Sequence, residues 1–263
     1  MPVTENGLRP FLEEIAREGG EVALAHFGRV AAEAKDESIV SEADRAVERL
    51  LVSRIRARFP GDYILGEESG GSGPAHPGGG TRWWAIDPID GTGPYLSGLP
   101  FWAVAVACMR GPAVEGGAVF LPVFGEMYSA EAGERAERNG EPLSPMDPAP
   151  AGSHSYLFVP CREVDGLRID YAGPRLTLSA AALHLIYAAS GSAFGAVIEP
   201  NCVYDFAAAS LVIERAGGRL RYASGAAVDF AALADGRRAP EPVVAAAADQ
   251  VDWLCGQVSW TGA

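Results

Sequence analysis

Two aspartates and a threonine lie close together in residues 84–92 (WAIDPIDGT), where their types and spacing suit phosphate chemistry. The apolar residues before Asp87 predict a strand with this carboxylate at its end, and Asp90 follows three residues later. Gly91 and Thr92 begin a new segment, whose backbone N–H groups can hold a phosphate as those of a helix N-terminus do. Hard carboxylate oxygens beside a phosphate favour Mg²⁺ as the bound cation. Taken alone the segment is ambiguous, because Asp-Pro and Asp-Gly are also ordinary turn formers.

Three further acidic residues occupy positions where they can either do chemistry or serve the backbone. Glu67 follows a predicted strand at residues 63–65, so it is a ligand at a strand end or a solvated loop residue. Asp44 lies three residues after Ser41, so it is a catalytic group or the capping-box partner of that serine. Asp205 opens a predicted helix, where a plain N-cap is the alternative to metal binding. Each position by itself leaves both interpretations open.

The joint arrangement of these residues resembles that of the inositol monophosphatase family. The stretch at residues 84–92, with Tyr95 after it, is similar to the first signature of the family. The stretch YDFAAASLVIERAGG at residues 204–218 is similar to the second signature. Shorter family motifs occur in the expected order, with VSEAD at 40–44, FP at 59–60 and GEES at 66–69. The resemblance extends from about residue 8 to residue 218.

The resemblance implies a hydrolase that removes phosphate from a small molecule with two or three Mg²⁺ ions. The implied metal ligands are four carboxylates and one carbonyl, those of Glu67, Asp87, Asp90, Asp205 and Ile89. The backbone N–H groups of Gly91 and Thr92 would hold the phosphate. The implied catalytic residues, which position the attacking water, are Thr92, Asp44 and Glu67. Elementary electrostatics agrees, because clustered carboxylates repel one another or take up protons unless cations lie between them.

The substrate is less well defined, and the implied choice is a monoester like inositol 1-phosphate. The resemblance implies Ala180 and Glu199 as substrate contacts, since both lie at or near the positions of family motifs, although Glu199 is also interpretable as a solvated residue at a strand end. Leu178 stands where the family has glycine, and residues 153–175 lack a match to the family's substrate-lining serine. Fructose 1,6-bisphosphate, histidinol phosphate and nucleotide 3′-phosphates therefore stay open as substrates. The alternative from another class is a catalytically silent dimeric regulatory or binding protein.

The elements that must position these residues mix helices and strands throughout the chain. Helical periodicity predicts helices at 8–25, 41–59, 178–189, 205–216 and 250–258. Short apolar runs predict strands at 63–65, 83–86, 103–107, 118–120, 127–128, 193–198, 219–222 and 243–247. The predicted class is α/β (α+β, layered), and the resemblance implies an αβαβα sandwich. A proline-rich stretch at 141–153 divides a subdomain at 1–145, with most metal ligands, from one at 146–263, with Asp205 and the substrate lip.

Composition excludes several classes of partner. The net charge of −13, from 21 Lys and Arg against 34 Asp and Glu, argues against nucleic acid and anionic membranes. No apolar run reaches the ~18 residues of a membrane helix, and no export signal is evident, so we expect a cytoplasmic protein. The cysteines and histidines lack the spacing of a disulfide framework or a zinc site, and we expect buried thiols and structural or surface histidines. The resemblance implies a homodimer.

Overall fold

The helices and strands lie in residues 7–28, 33–35, 38–40, 42–73, 80–146 and 155–262, which the computed structural model describes. The helices of these residues are α1 (Arg9–His26), α2 (Glu42–Arg58), α3 (Thr92–Leu96), α4 (Ala181–Ala189), α5 (Ala207–Arg215) and α6 (Val251–Cys255). The strands are β1 (Glu33–Lys35), β2 (Ser38–Val40), β3 (Tyr63–Gly66), β4 (Gly70–Ser72), β5 (Arg82–Asp90), β6 (Ala103–Arg110), β7 (Ala113–Leu121), β8 (Glu126–Glu131), β9 (Glu137–Arg138), β10 (Glu141–Pro142), β11 (Leu157–Phe158), β12 (Leu167–Ile169), β13 (Arg175–Leu176), β14 (Gly195–Ile198), β15 (Gly218–Tyr222), β16 (Val243–Ala247) and β17 (Val258–Trp260).

Five layers of helix and sheet follow one another through the molecule. Helices α1 and α2 pack on one face of an eight-stranded sheet, whose strand order is β10-β9-β8-β7-β6-β5-β3-β4. Helices α4 and α5 lie on its other face, and they also contact a five-stranded sheet with the order β13-β11-β14-β16-β15. Helix α6 contacts β15 and β16 of this second sheet. The predicted class and the αβαβα layering are confirmed.

The core fills the spaces between these layers. Alternating side chains of β5 illustrate this, since Trp84 and Ile86 join the cluster under α1 and α2. Trp83 and Ala85 point the other way, into the cluster that holds α4 and α5. A third cluster packs α6 on the second sheet. The predicted boundary near residue 145 falls between the two large sheets, and the division into subdomains stays a prediction.

Two glycines in α1 mark a close approach and not a break in the helix. A Cβ at Gly20 would lie 2.5 Å from the Phe120 ring, and one at Gly19 would lie 3.1 Å from Val47. The helix continues through both residues. The two glycines therefore allow α1 to pack closely on β7 and α2.

Several predicted boundaries are wrong. The sequence predicts no strand in the glycine-rich stretch 70–80, yet its first residues form strand β4, which pairs with β3; residues 74–79 lie outside the described residues. Helix α6 is shorter than predicted, because Val258 already belongs to β17 and pairs with β12.

Cys161 is exposed, in contrast to the expected buried thiols. Among the described helices, none has the length and apolar character needed to cross a bilayer.

Candidate active site

A β-bulge in β5 brings Asp87 and Asp90 to the same face of the sheet. Between these residues the pairing with β6 shifts register, so that three steps along β5 match two along β6. In a regular strand, side chains three residues apart point to opposite faces of the sheet. The extra residue of the bulge turns the Asp90 side chain to the same face as that of Asp87. Pro88 has no N–H for the ladder, and the Ile89 N–H donates to Asp87 Oδ1 at 3.0 Å. Asp87 therefore lies within β5, whereas the sequence predicted that it ends the strand.

Asp90 also forms the N-terminal cap of α4. The N-cap residue of this helix is Ala180, which has no side chain to accept a hydrogen bond. Instead, Asp90 Oδ1 accepts the N–H of Ala181 at 2.9 Å, and its Oδ2 accepts that of Ala182 at 2.8 Å. The helix begins at Ala181 and not at the predicted residue 178, because Asp90 satisfies the first free N–H groups there.

Asp205 joins these two carboxylates from the other half of the chain. It ends a 3₁₀ turn at Val203–Asp205, and its Oδ2 accepts the Cys202 N–H at 2.8 Å. The predicted helix start at Asp205 is wrong, because α5 begins at Ala207. Carboxylate oxygens of Asp87, Asp90 and Asp205 all lie within 4.8 Å of one another.

Glu67 reaches this cluster from the turn between β3 and β4. The residue keeps an exposed edge, while its carboxyl group is hydrogen-bonded to that of Asp87. Its removal from bulk water raises the pKa of Glu67 to about 8, and the charges of Asp44, Glu68 and Asp90 act in the same direction. All four carboxylates that the sequence singled out as ligands are therefore neighbours.

The electrostatics of the cluster suit a bound cation. Burial raises the pKa of Asp87 and that of Asp205 well above the usual range, and the charge of Glu67 adds to both shifts. Burial also raises the pKa of Asp90 to about 7, although the N–H groups of α4 oppose this. Without a bound cation, the cluster of carboxylates must take up protons, because their negative charges repel one another. Two ligands across one Mg²⁺ are about 4 Å apart, so the spacing and the all-oxygen donor set fit this ion.

Gly91 and Thr92 lie directly after the cluster, at the start of α3. Gly91 has φ 94°, and a Cβ there would lie 2.7 Å from the Phe101 carbonyl oxygen, so the site requires glycine. Thr92 Oγ1 lies 3.4 Å from Asp44 Oδ1 and 3.1 Å from the Ile89 carbonyl oxygen. The first N–H groups of a helix lack intrahelical partners, and these are the groups predicted to hold phosphate. Ser41, the predicted capping partner of Asp44, lies outside the described residues.

A cavity of about 190 Å³ opens beside the carboxylates. Ala180 and Glu199, the predicted substrate contacts, both line it. Glu199 also pairs with Arg162 at 3.3 Å, and the Arg162 side chain is 68% exposed. Further lining residues that the sequence did not single out are Pro160, Cys161, Ser179 and Asn201. Ser179 lies in a stretch, 175–181, that resembles a family motif, whereas no motif marks the other three residues, which only the fold brings to the cavity.

Cavity volume alone does not locate the site. Larger cavities of about 830 and 780 Å³ lie between α2 and the β3–β4 hairpin and between β7 and α5, and neither is lined by a carboxylate of the cluster. His184 does line the smaller cavity, but its Nε2 accepts the Leu178 N–H at 2.8 Å and its ring stacks on Phe158. Burial lowers the pKa of His184 to about 4, so this histidine is neutral and structural. His76 and His154 lie outside the described residues.

Comparisons with known proteins agree with this geometry. The sequence profile of the inositol monophosphatase family matches residues 6–253. The chain is 36% identical over 217 residues to a histidinol-phosphatase of Chlorobaculum parvum, with 78% of this chain and 82% of that protein covered. It is 30% identical over 223 residues to a fructose-1,6-bisphosphatase/inositol-1-monophosphatase of Thermotoga maritima, with 82% and 84% covered. Among solved structures, an IMPase of Thermotoga maritima matches with a TM-score of 0.79 and 26% identity over 94% of each chain.

These comparisons rest on nearly the whole chain and not on one short motif. The profile includes both halves of the fold, and so does the structural match. The family predicted from the sequence is confirmed. The chain belongs to the inositol monophosphatase family, and it is a phosphoric monoester hydrolase.

Proposed function

We propose that this protein hydrolyses a small phosphate monoester in a Mg²⁺-dependent reaction. The observation that carries the proposal is the convergence of Asp87, Asp90 and Asp205 within 4.8 Å, beside a cavity that Gly91 and Thr92 also line. Two or three bound Mg²⁺ ions would neutralise phosphoryl oxygens, lower the pKa of water and stabilise the leaving alkoxide. Glu67, the three aspartates and the carbonyl of Ile89 hold these ions in the proposal.

The other residues of the site bind the phosphate and orient water. The N–H groups of Gly91 and Thr92 donate to the phosphate, in the manner of a helix N-terminus. The Thr92 hydroxyl has one proton, which it donates to Asp44 or to the Ile89 carbonyl, both within 3.4 Å. Its oxygen lone pairs then remain available to accept a hydrogen from the attacking water. The Glu67 carboxylate supplies a second acceptor for that water.

The cavity supports a small alcohol as the leaving group. Its volume of about 190 Å³ lies below the ~300–1,000 Å³ of sites for drug-sized ligands. A polyol such as that of inositol 1-phosphate can donate hydroxyl hydrogen bonds to Glu199 on the cavity wall.

Histidinol phosphate is the second candidate substrate. The Glu199 carboxylate, which lines the cavity, suits a substrate ammonium group, since a charge-assisted hydrogen bond is stronger than a neutral one. The 36% identity to a histidinol-phosphatase supports the same choice. The two candidate substrates differ in the group that would contact Glu199, which is a neutral hydroxyl in inositol 1-phosphate and a positively charged ammonium in histidinol phosphate.

Release of inorganic phosphate from a panel of esters tests the proposal. The panel contains inositol 1-phosphate, histidinol phosphate, fructose 1,6-bisphosphate and a nucleoside 3′-phosphate, each assayed with Mg²⁺ and with excess EDTA. We expect Mg²⁺-dependent turnover of at least one ester, and its loss in Asp205→Asn. Folded protein that hydrolyses none of them, or hydrolyses them equally in EDTA, would contradict the proposal. The first outcome favours the silent binding protein; the homodimer and the cytoplasmic location stay predictions.

A further inference from the structure

The turn that carries Glu67 lies at the edge of the eight-stranded sheet. It connects β3 to β4, and β4 is the last strand in the sheet order. Glu67 keeps an exposed edge, whereas Asp87 and Asp90 are buried in β5. Edge hairpins have few neighbours to hold them in place. A side chain at this position needs a separate restraint if it is to meet a metal ion with fixed geometry.

Glu48 of α2 supplies such a restraint. This residue is only 4% exposed. Its Oε2 accepts the N–H of Glu68 at 2.9 Å, and its Oε1 accepts the N–H of Ser69 at 2.8 Å. Hydrogen bonds to an ionised acceptor are stronger than neutral ones. Both oxygens of one buried carboxylate therefore fix the backbone directly after Glu67.

Gly66 shows how closely the Glu48 carboxylate lies against the turn. A Cβ added at Gly66 would lie 2.6 Å from Glu48 Oε2 and 2.7 Å from its Cδ. The backbone of Gly66 does not have a positive φ, so any residue can adopt its conformation. Glycine is required here for space, and alanine would displace the Glu48 carboxylate.

We propose that Glu48 is a positioning residue for metal binding, which acts by fixing the turn that presents Glu67 to Asp87. The inference builds on the proposed function, because it takes Glu67 to be a ligand. The alternative is that Glu48 only holds the hairpin on α2. The two differ in one measurable respect, since a hairpin contact affects stability and a positioning residue also affects metal affinity.

The first test is the substitution Glu48→Gln. Glutamine has nearly the same shape, but its amide presents one acceptor and one donor group to two backbone N–H groups, so one hydrogen bond is lost. Mutation of groups that orient metal ligands usually costs about 10–100-fold in metal affinity or activity. We expect the half-saturating Mg²⁺ concentration to rise by about tenfold or more, while the substrate KM at saturating Mg²⁺ changes little. Calorimetric binding of Mn²⁺ to the substrate-free protein should weaken by a similar factor.

The matched control is Glu131→Gln. Glu131 is also a glutamate that accepts two backbone N–H groups, from Leu8 at 3.1 Å and from Arg9 at 2.9 Å. It lies on β8, which β7, β6 and β5 separate from β3 in the sheet. Both N–H groups donate to one oxygen of Glu131, Oε2, so the amide oxygen of glutamine can keep both hydrogen bonds. The substitution should leave the Mg²⁺ and Mn²⁺ affinities unchanged and change Tm little.

A second variant perturbs the same contact from the other side. Gly66→Ala should displace the Glu48 carboxylate and weaken metal binding in the same direction as Glu48→Gln. In Glu48→Ala there is no carboxylate for the new Cβ at residue 66 to displace. Adding Gly66→Ala to that variant should therefore cause little further loss of metal affinity. Gly66→Ala also tests the positioning role if Glu48→Gln does not fold.

The outcomes separate this inference from the proposed function. Weaker cation affinity in Glu48→Gln and Gly66→Ala, but not in Glu131→Gln, supports the positioning role. Unchanged Mn²⁺ affinity in either folded variant, with a change in Tm alone, overturns it. A wild-type protein that binds Mn²⁺ but hydrolyses no ester refutes the proposed function and leaves the positioning role to be judged by Mn²⁺ affinity alone.

Discussion

At the residue scale, Asp44 lies both in the first turn of α2 and next to Thr92. Its side chain is 1% exposed, and the Thr92 hydroxyl lies 3.4 Å from its Oδ1. An acidic residue in the first turn of a helix also interacts favourably with the helix dipole. The two roles, support of α2 and orientation of Thr92, differ in what the removal of one charge should do.

We predict that Asp44→Asn lowers kcat by roughly 10² or more, the usual scale for the loss of an acid–base partner. KM should change little, because the phosphate is held by other groups. Asparagine retains a side-chain oxygen and favours helix starts, so Tm should stay close to that of the wild type. Steady-state kinetics and thermal unfolding of the purified variant measure both effects.

Glu42→Gln is the control for Asp44→Asn, since Glu42 is an exposed acidic residue in the same turn of α2. It should leave kcat unchanged. A lowered Tm with near-normal kcat in Asp44→Asn would mean that Asp44 serves only the helix.

At the element scale, the start of α3 depends on a backbone conformation that only glycine adopts easily. Gly91 has a positive φ and lies against the Phe101 carbonyl. Gly93, two residues later in the same helix, has no positive φ, and a Cβ there would meet nothing within 4 Å. Substitutions at Gly91 and Gly93 therefore compare a position that requires glycine with one that does not.

We predict that Gly91→Ala destabilises the protein by about 1–3 kcal/mol, the usual cost of a strained backbone residue, and reduces phosphate release more than Gly93→Ala. The Gly93→Ala substitution should change the free energy of unfolding by about 1 kcal/mol or less. Denaturant unfolding and the phosphate assay on both variants provide the comparison. Equal behaviour of the two variants would contradict the role assigned to the start of α3.

The same elements show what the sequence could predict and where it failed. Hydrophobic periodicity located most helices and strands, because it reports burial directly. It missed the bulge in β5, since that irregularity depends on pairing with β6. It also missed that Asp90 caps a helix 91 residues away and that Glu48 holds a turn 20 residues away. Such contacts are set by the fold and have no local pattern.

At the scale of the whole molecule, the carboxylate cluster joins the eight-stranded sheet to the helix layer that lies between the two sheets. Asp87 and Asp90 come from the eight-stranded sheet, and Asp205 precedes α5, which lies between the sheets. The chain carries a net charge of −13, so repulsion within the cluster adds to an unfavourable global field. Cation binding should therefore affect the stability of the entire fold.

We predict that the metal-free protein loses stability as the pH rises from the ordinary carboxylate range to about 7 and 8, the raised pKa values of Asp90 and Glu67. Between the ordinary carboxylate range and these values the folded state holds protons that the unfolded chain has released, so deprotonation favours unfolding. Mg²⁺ should raise Tm, and by more at high pH, because it replaces those protons.

Thermal unfolding between about pH 5 and pH 9, with EDTA or with Mg²⁺, measures this linkage. Glu67→Gln, which cannot titrate at this position, should show a smaller fall in Tm between about pH 5 and pH 8. A Tm in EDTA that is constant or rising over this range would contradict the prediction.

Anomalous scattering from crystals grown with Mn²⁺ tests most directly whether four carboxylates form one cation site, those of Glu67, Asp87, Asp90 and Asp205. We expect at least one Mn²⁺ peak about 2 Å from carboxylate oxygens of the three aspartates. A second peak should lie roughly 4 Å away, beside Glu67, as in paired metal sites. A cluster without any peak at saturating Mn²⁺, or two of these carboxyl groups more than roughly 12 Å apart, would contradict it.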